Sequence, residues 1–386
     1  MSVVAEARNK TNKKFMVLSA IGIFMVVDHH TFTAINLFGD YIPYNSFFMP
    51  MFVFISGYFN KVGTDTKLLS YIGKKAKTLL LPYAGISLLV FVIQQLINLL
   101  KTGEIVPLPS GYLLYVLERV ITSGSPFQLV TPMWFVISLF FTLLFYALLK
   151  KLLNKIWNSF CVFGIFTVLH FAVVYLAKTV QPESLHPFLL PLKVLFLLPF
   201  LELGIIYKKY LEGKLTGLSG GWKIGLLILL LMVNVIRTSY LPNAYDVAFD
   251  SIDELAGFTS PFFVTPMLSS VVGILFWLTL TDLIAKPLYE SRFVNYMSCN
   301  TFWIMGLHIL FFNIFNCVLM FADRIIDLPY FDAEAFRESE WYFWEISPNI
   351  KLAYMVTGIL GPLGLKWIYD RIKMSLSNKK TNVTNV

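Results

Sequence analysis

Apolar residues recur along this chain in blocks of about 20, the length an α-helix needs to cross the hydrocarbon core of a bilayer. Of its 386 residues, 57% are hydrophobic and only 14% are charged, where soluble domains carry about 25% charged residues. At bilayer depth every backbone N–H and C=O must be satisfied within the segment, so each block is expected to be a helix. The fold class that follows is all-α: a polytopic integral membrane protein of about ten transmembrane helices. The expected spans are 15–37, 44–60, 78–100, 129–149, 159–177, 187–207, 222–241, 262–285, 293–321 and 349–370. The second is short and contains Pro50, so its ends are the least defined. Residues 111–122 suit an interfacial helix.

Loop charges orient the spans. Lys61, Lys67, Lys74, Lys75 and Lys77 lie in one connection; Lys150, Lys151 and Lys155 in another; Lys208, Lys209, Lys214 and Lys223 in a third. With both tails, that side holds 23 of the 31 Lys and Arg, while the other side carries Asp246, Asp250, Asp253 and Glu254 and the acidic loop from Asp323 to Glu345. The excess of Lys and Arg on cytoplasmic loops places both termini in the cytoplasm. Residues 1–14 then read as a basic cytoplasmic tail, 15–372 as one membrane domain, and 373–386 as a polar cytoplasmic tail. The polar start carries no cleavable-signal pattern. Cys161, Cys299 and Cys317 fall in apolar runs, which argues against a disulfide framework. A net charge of +8 on such a chain reports orientation, and no nucleic-acid partner is expected. The aromatic, acidic stretch 322–348 reads as a cap over the outer mouth of a cavity or as a folded surface loop.

The polar residues inside the spans are the candidates for chemistry, because an ionisable group at that depth is costly unless it faces a protein interior or a wet cavity. Asp28, His29 and His30 are consecutive near the end of the first span, and His308 lies in the ninth at a similar expected depth. A His suits proton transfer near neutral pH. Adjacent helical residues point about 100° apart, so at most two of the three share a face. The same geometry makes Asp28 an awkward partner for either ring. Lys74, Lys75 and Lys77 precede Leu79-Leu80-Leu81-Pro82-Tyr83; they suit the phosphates of a nucleotide-like donor or plain membrane anchoring. Ser56-Gly57-Tyr58 offers a hydroxyl or a close helix contact. Trp134 reads as a substrate contact or an interfacial anchor. Glu202, a buried acid in the sixth span, requires a partner that the sequence does not name.

Taken together, VVDHH, FFMPMFVFISGYF, KKAKTLLLPY, PMWFVISLFF, FLELGIIYKK and NTFWIMGLHIL, in this order over most of the chain, resemble the acyltransferase-3 family of integral membrane acyltransferases. The resemblance implies transfer of an acyl group, often acetyl from coenzyme A, to a hydroxyl of a cell-surface carbohydrate or glycolipid, without a metal, in the plasma membrane of a bacterium. It puts the first-span His of the family on His30, the basic residues on Lys74, Lys75 and Lys77, and the fourth-span Trp on Trp134. Two positions depart from it. Ser19 stands where a basic residue is usual eleven positions before the His, and Phe48 stands where many members have a His before Met-Pro. The expected catalytic set is His30, His29 and His308; the donor set is Lys74, Lys75, Lys77 and Tyr83; the substrate set is Asp28, Ser56, Trp134 and Glu202. The alternatives are a secondary transporter or flippase using the same buried groups, or a structural membrane protein with the His cluster as packing.

Overall fold

The computed structural model describes residues 13–63, 66–105, 110–240, 264–339, 342 and 350–383. Among them there are helices and connecting turns and no strands. Among the described residues seven helices are long and apolar enough to cross a membrane, by length and composition: Leu68–Thr102, Gln128–Leu152, Ser159–Thr179, His186–Thr216, Gly220–Tyr240, Thr265–Glu290 and Thr301–Ile326. The remaining three expected spans are helical as well. The first, α1, is Lys13–His30 and carries Lys13, Lys14 and Asp28; the second, α2, is Phe48–Tyr58; the last is Lys351–Val383. The fold is therefore an all-α polytopic membrane bundle.

Several boundaries differ from the sequence reading, each for a local reason. Helix α1 stops at His30 instead of running to residue 37, because the Asp28 carboxylate accepts from the amides of Ile35 and Asn36, both at 3.0 Å, and folds the chain back on itself. The turn contains Phe32, Thr33, Asn36 and Phe38 at positive φ, a conformation that non-glycine residues hold only when their surroundings impose it. Helix α2 has 11 residues, about 16 Å at 1.5 Å per residue, shorter than the expected span 44–60; it runs antiparallel to α1, with Phe48 against His29 and Tyr58 against Phe15. The third helix, α3, starts at Leu68 and not near 78, and runs 35 residues to Thr102. The lysine run therefore lies inside a helix and not in a loop. A single π-turn at Ala76–Leu80 interrupts it. The ninth span divides at Asn300 into α10, Arg292–Cys299, and α11, Thr301–Ile326, so His308 is near the start of its own helix. The expected interfacial helix forms at Tyr112–Thr122 (α4). Of the outer stretch, Ala333–Glu338 is a short helix whose Phe336 is fully buried against Phe331 and Tyr342; most of Trp341–Glu345 lies outside the described residues.

The core is set by close approach of α2 to α7, the Leu189–Ile206 part of the sixth span. A Cβ on Gly57 would stand 2.0 Å from the Leu201 carbonyl oxygen, and one on Gly204 would stand 2.1 Å from that of Phe54. Only hydrogen at both positions lets the two backbones touch, the small-residue contact that holds membrane helices together where no hydrophobic driving force acts between them. This contact seats α2 beside α1, and Phe48 at its start reaches the His cluster.

Candidate functional site

His30 and His308 come together. Their ring centroids are 4.8 Å apart with the planes tilted by 59°. Each ring is anchored the same way: Nδ1 of His30 lies 2.7 Å from the Val26 carbonyl, and Nδ1 of His308 lies 2.9 Å from that of Ile304. A carbonyl oxygen can only accept, so each Nδ1 carries the proton and each Nε2 is the basic nitrogen of the neutral ring. His308 is fully buried and its Nε2 has no hydrogen-bond partner among the described residues. His30 is half-buried, so the pair has one sealed ring and one partly open to its surroundings.

His29 is also half-buried, 5.6 Å from the His30 ring, and leans on Phe48 at 5.6 Å between centroids. Phe48, the residue that departs from the family pattern, therefore supports His29. Asp28 is fully buried, and its two carboxylate oxygens are taken up by the Ile35 and Asn36 amides.

A second group of candidates surrounds the turn Ser123–Ser125. Tyr83 donates to the Gly124 carbonyl at 2.9 Å, and Lys193 donates to that of Ser123 at 2.7 Å. The Lys193 ammonium also stands 4.7 Å from the centre of the Trp134 ring. Trp134 is only 6% exposed, so it is a packed residue and not the interfacial anchor that its sequence position suggested. Gly124 has φ of +89° and would place a Cβ 2.9 Å from the Trp134 carbonyl oxygen, so this turn accepts only glycine. Lys193, counted in the sequence only as a charge near a span end, is 1% exposed. Its environment was invisible without the turn that receives it.

The basic run divides. Lys75 is half-buried with its ammonium 5.5 Å from the Tyr71 ring, while Lys74 and Lys77 are exposed. Ser56 donates to the Phe52 carbonyl of its own helix at 2.9 Å. Glu202 has the partner that sequence could not name: Tyr146 donates to its Oε2 at 2.7 Å, while Oε1 is buried with no partner among the described residues. Ser19 donates to the Phe15 carbonyl at 2.8 Å, an ordinary intrahelical bond. Lys14, near it, pairs with Asp282 at 3.0 Å. His170, which carried no motif, is fully buried with Nδ1 2.9 Å from the Phe196 carbonyl. Among the described residues no group of three or more His, Cys, Asp or Glu is placed to hold a metal.

The arrangement thus offers a fixed imidazole base with a second imidazole behind it, inside a helical membrane bundle. The acyltransferase-3 family model, described as an acyltransferase domain, matches residues 15–365. No curated protein and no solved structure matches the chain significantly. The match spans nearly the whole bundle, from α1 with its His pair to the last helix, and on it the chain belongs to the acyltransferase-3 family of membrane acyltransferases.

Proposed function

We propose that this membrane acyltransferase moves an acyl group, most simply acetyl, from a coenzyme A thioester to a hydroxyl of a carbohydrate or glycolipid at the surface of a bacterial cell, with His30 as general base. The observation that carries the reading is the pair of imidazoles with both Nδ1 atoms tied to carbonyls. The acceptor O–H gives its proton to Nε2 of His30 as its oxygen attacks the thioester carbonyl. The tetrahedral intermediate then collapses, the C–S bond breaks, and the departing thiolate takes the proton from Nε2. The ring is held by a bond that does not use the reacting nitrogen, so it need not reorient between the two transfers. His308 places a second basic nitrogen beside the ring while it is cationic.

The donor's phosphates are assigned to the end of the bundle where α3 begins. Lys75 is assigned as the primary contact because it is the half-buried one of the three, and Lys74 and Lys77 add diffuse attraction from the surface. Tyr83, about two helical turns further along α3, is assigned to the donor with them. By the loop-charge rule this end faces the cytoplasm, where coenzyme A thioesters are made, and the acceptor approaches from the membrane or the opposite side.

The experiment is direct: purified protein is incubated with labelled acetyl-CoA and a surface-glycan fraction, and thiol release and label transfer are followed. Glycan-dependent release that disappears in His30→Ala supports the reading. Transport of a solute with no thiol release would replace it by the transporter alternative.

A further inference from the structure

At the end of the bundle where α3 begins, three buried polar atoms gather round Tyr146 on α5, Trp134–Leu152. Tyr146 donates its hydroxyl proton to Oε2 of the fully buried Glu202 at 2.7 Å. Oε1 of that carboxylate, the Tyr71 hydroxyl and the Trp157 indole N–H are buried and bonded to nothing among the described residues. The Trp157 ring meets the Tyr146 ring edge-on at 5.4 Å, and Tyr71 stands near Tyr146 as well. Lys150 lies over the Trp157 ring at 4.2 Å and near Glu202. It offsets the charge of the carboxylate, yet no group donates to Oε1. Buried hydrogen bonds left unmade are costly. One acceptor and two donors unmet in the same place define the chemistry of a missing partner.

That end is also loosely closed. The first segment of α3, Leu68–Lys75, and the π-turn after it, Ala76–Leu80, contain no fully buried residue, and Leu69 is 85% exposed. A second π-turn, Tyr207–Leu211, follows Glu202 on its own helix. π-turns recur at functional sites, and a segment with so little buried surface opens at low cost. Tyr71 is on this segment, so its outward swing about the π-turn uncovers Glu202 and Trp157.

The order of groups along α3 identifies the partner. Lys75, one turn after Tyr71 and 5.5 Å from its ring, is assigned to the donor's phosphates. Further along, Ile86 packs on Gly306, two residues before His308, so this direction leads toward the His pair. Tyr71 and Glu202 therefore lie on the far side of the phosphates from the reacting atoms. In coenzyme A the diphosphate joins the thioester arm on one side to adenosine on the other. We infer that Glu202, Tyr71 and Trp157 form the site for the adenine of the donor, covered in this structure by the Leu68–Lys75 segment. The exocyclic amine of adenine donates to Oε1 of Glu202, and its ring nitrogens accept from Tyr71 and Trp157. The aromatic rings of Tyr71, Tyr146 and Trp157 supply the apolar faces against which a base stacks. This inference rests on the proposed acyl-CoA donor.

The test titrates the full chain in detergent, by calorimetry, with coenzyme A and with its hypoxanthine analogue, in which oxygen replaces the exocyclic amine. Coenzyme A is expected to bind at least about tenfold more tightly, the worth of one hydrogen bond to a charged group. In Glu202→Gln, Tyr146 still donates to the amide oxygen, and the amide NH2 takes the place of Oε1, so the preference should invert toward hypoxanthine. A purely structural role for Glu202 would weaken both ligands alike. Tyr71→Phe and Trp157→Phe should raise the KM for acetyl-CoA several-fold and leave kcat unchanged. The KM for acetyl-pantetheine, which carries no base, should not respond to either change. Hydrogen exchange at residues 68–80 should change when coenzyme A binds, and an unchanged rate would overturn the covering role of that segment. Equal binding of the two ligands by the unmutated chain would overturn the inference and leave acyl transfer standing; this comparison requires no variant to fold. An adenine preference that survives in a folded Glu202→Gln would also overturn it, by placing the base elsewhere. Failure of coenzyme A to bind at all would overturn the acyl-CoA reading together with this site.

Discussion

His30 and His308, 278 positions apart in the chain, lie with their ring centres 4.8 Å apart and their planes tilted by 59°, and each is pinned through Nδ1 to the carbonyl four residues before it. Two neutral imidazoles that both keep their protons on Nδ1 have two basic nitrogens and no proton between them. In the proposed reaction this pair takes up one proton per turnover.

His30→Ala should insert and keep most of its donor affinity while losing turnover by about 10²- to 10⁴-fold, the usual worth of a positioned base. His308→Ala should lower kcat less, because the His30 ring remains. His29→Ala should be the mildest of the three, as its ring rests on Phe48. Steady-state kinetics of the three variants, with insertion checked by size-exclusion chromatography, reads the order. A dead His29→Ala beside an active His30→Ala would move the base to His29.

The proton balance sets a pH sign. The base must be neutral to act, so kcat/KM should rise with pH through one ionisation of the free enzyme and then level off. Activity is lost on the acid side, where the His pair holds a proton. In His30→Ala the residual rate should lack that acidic limb, and a profile unchanged by the substitution would assign the limb to another group.

The lysine run should not behave as a unit. Lys75→Gln is expected to raise the KM for acyl-CoA several-fold with little change in that for the acceptor. Lys74→Gln and Lys77→Gln, on exposed side chains, should have smaller effects that vanish in high salt. Three equal effects on donor KM would argue against a distinct phosphate contact at Lys75.

Gly57→Ala and Gly204→Ala should each destabilise the bundle by about 1–3 kcal/mol or more, the range for forcing a methyl into a filled interface. Each new methyl would meet backbone oxygen at 2.0 or 2.1 Å, which cannot move aside as a side chain can. Ser56→Ala, one residue from Gly57, removes only a bond within its own helix and should be near neutral. Thermal unfolding in detergent separates the two classes.

Asp28→Ala should release the turn after α1, because the amides of Ile35 and Asn36 lose their acceptor. Hydrogen bonds to a charged group are worth about 1.5–3 kcal/mol each. Asp28→Asn keeps one acceptor oxygen and should retain part of that stability and more of the activity. Hydrogen exchange at residues 31–38 reads the release directly, and unchanged protection in Asp28→Ala would refute this role for the carboxylate.

The sequence alone determined the class of the molecule. Length and apolar repetition required a helical membrane bundle, because a bilayer leaves backbone groups no other partner. The order of the motifs carried the family, and the rarity of ionisable groups in the spans singled out His30, His308, Asp28 and Glu202. What those groups do was decided only by tertiary structure. The proximity of His30 to His308 depends on which helices are neighbours, and periodicity within one helix holds no information about that. Asp28 stands beside two His in sequence, yet its carboxylate turns to the Ile35 and Asn36 amides, because chain reversal at His30 brings those donors to it. Lys193 and Tyr146 bore no motif; their importance comes from the Ser123 carbonyl and the Glu202 carboxylate that other helices deliver to them. Helix ends were misplaced where a side chain or a π-turn competes with the helical ladder, as at Asp28 and at Ala76–Leu80. Composition sees the cost of burying a polar group, and only the fold shows which group meets that cost.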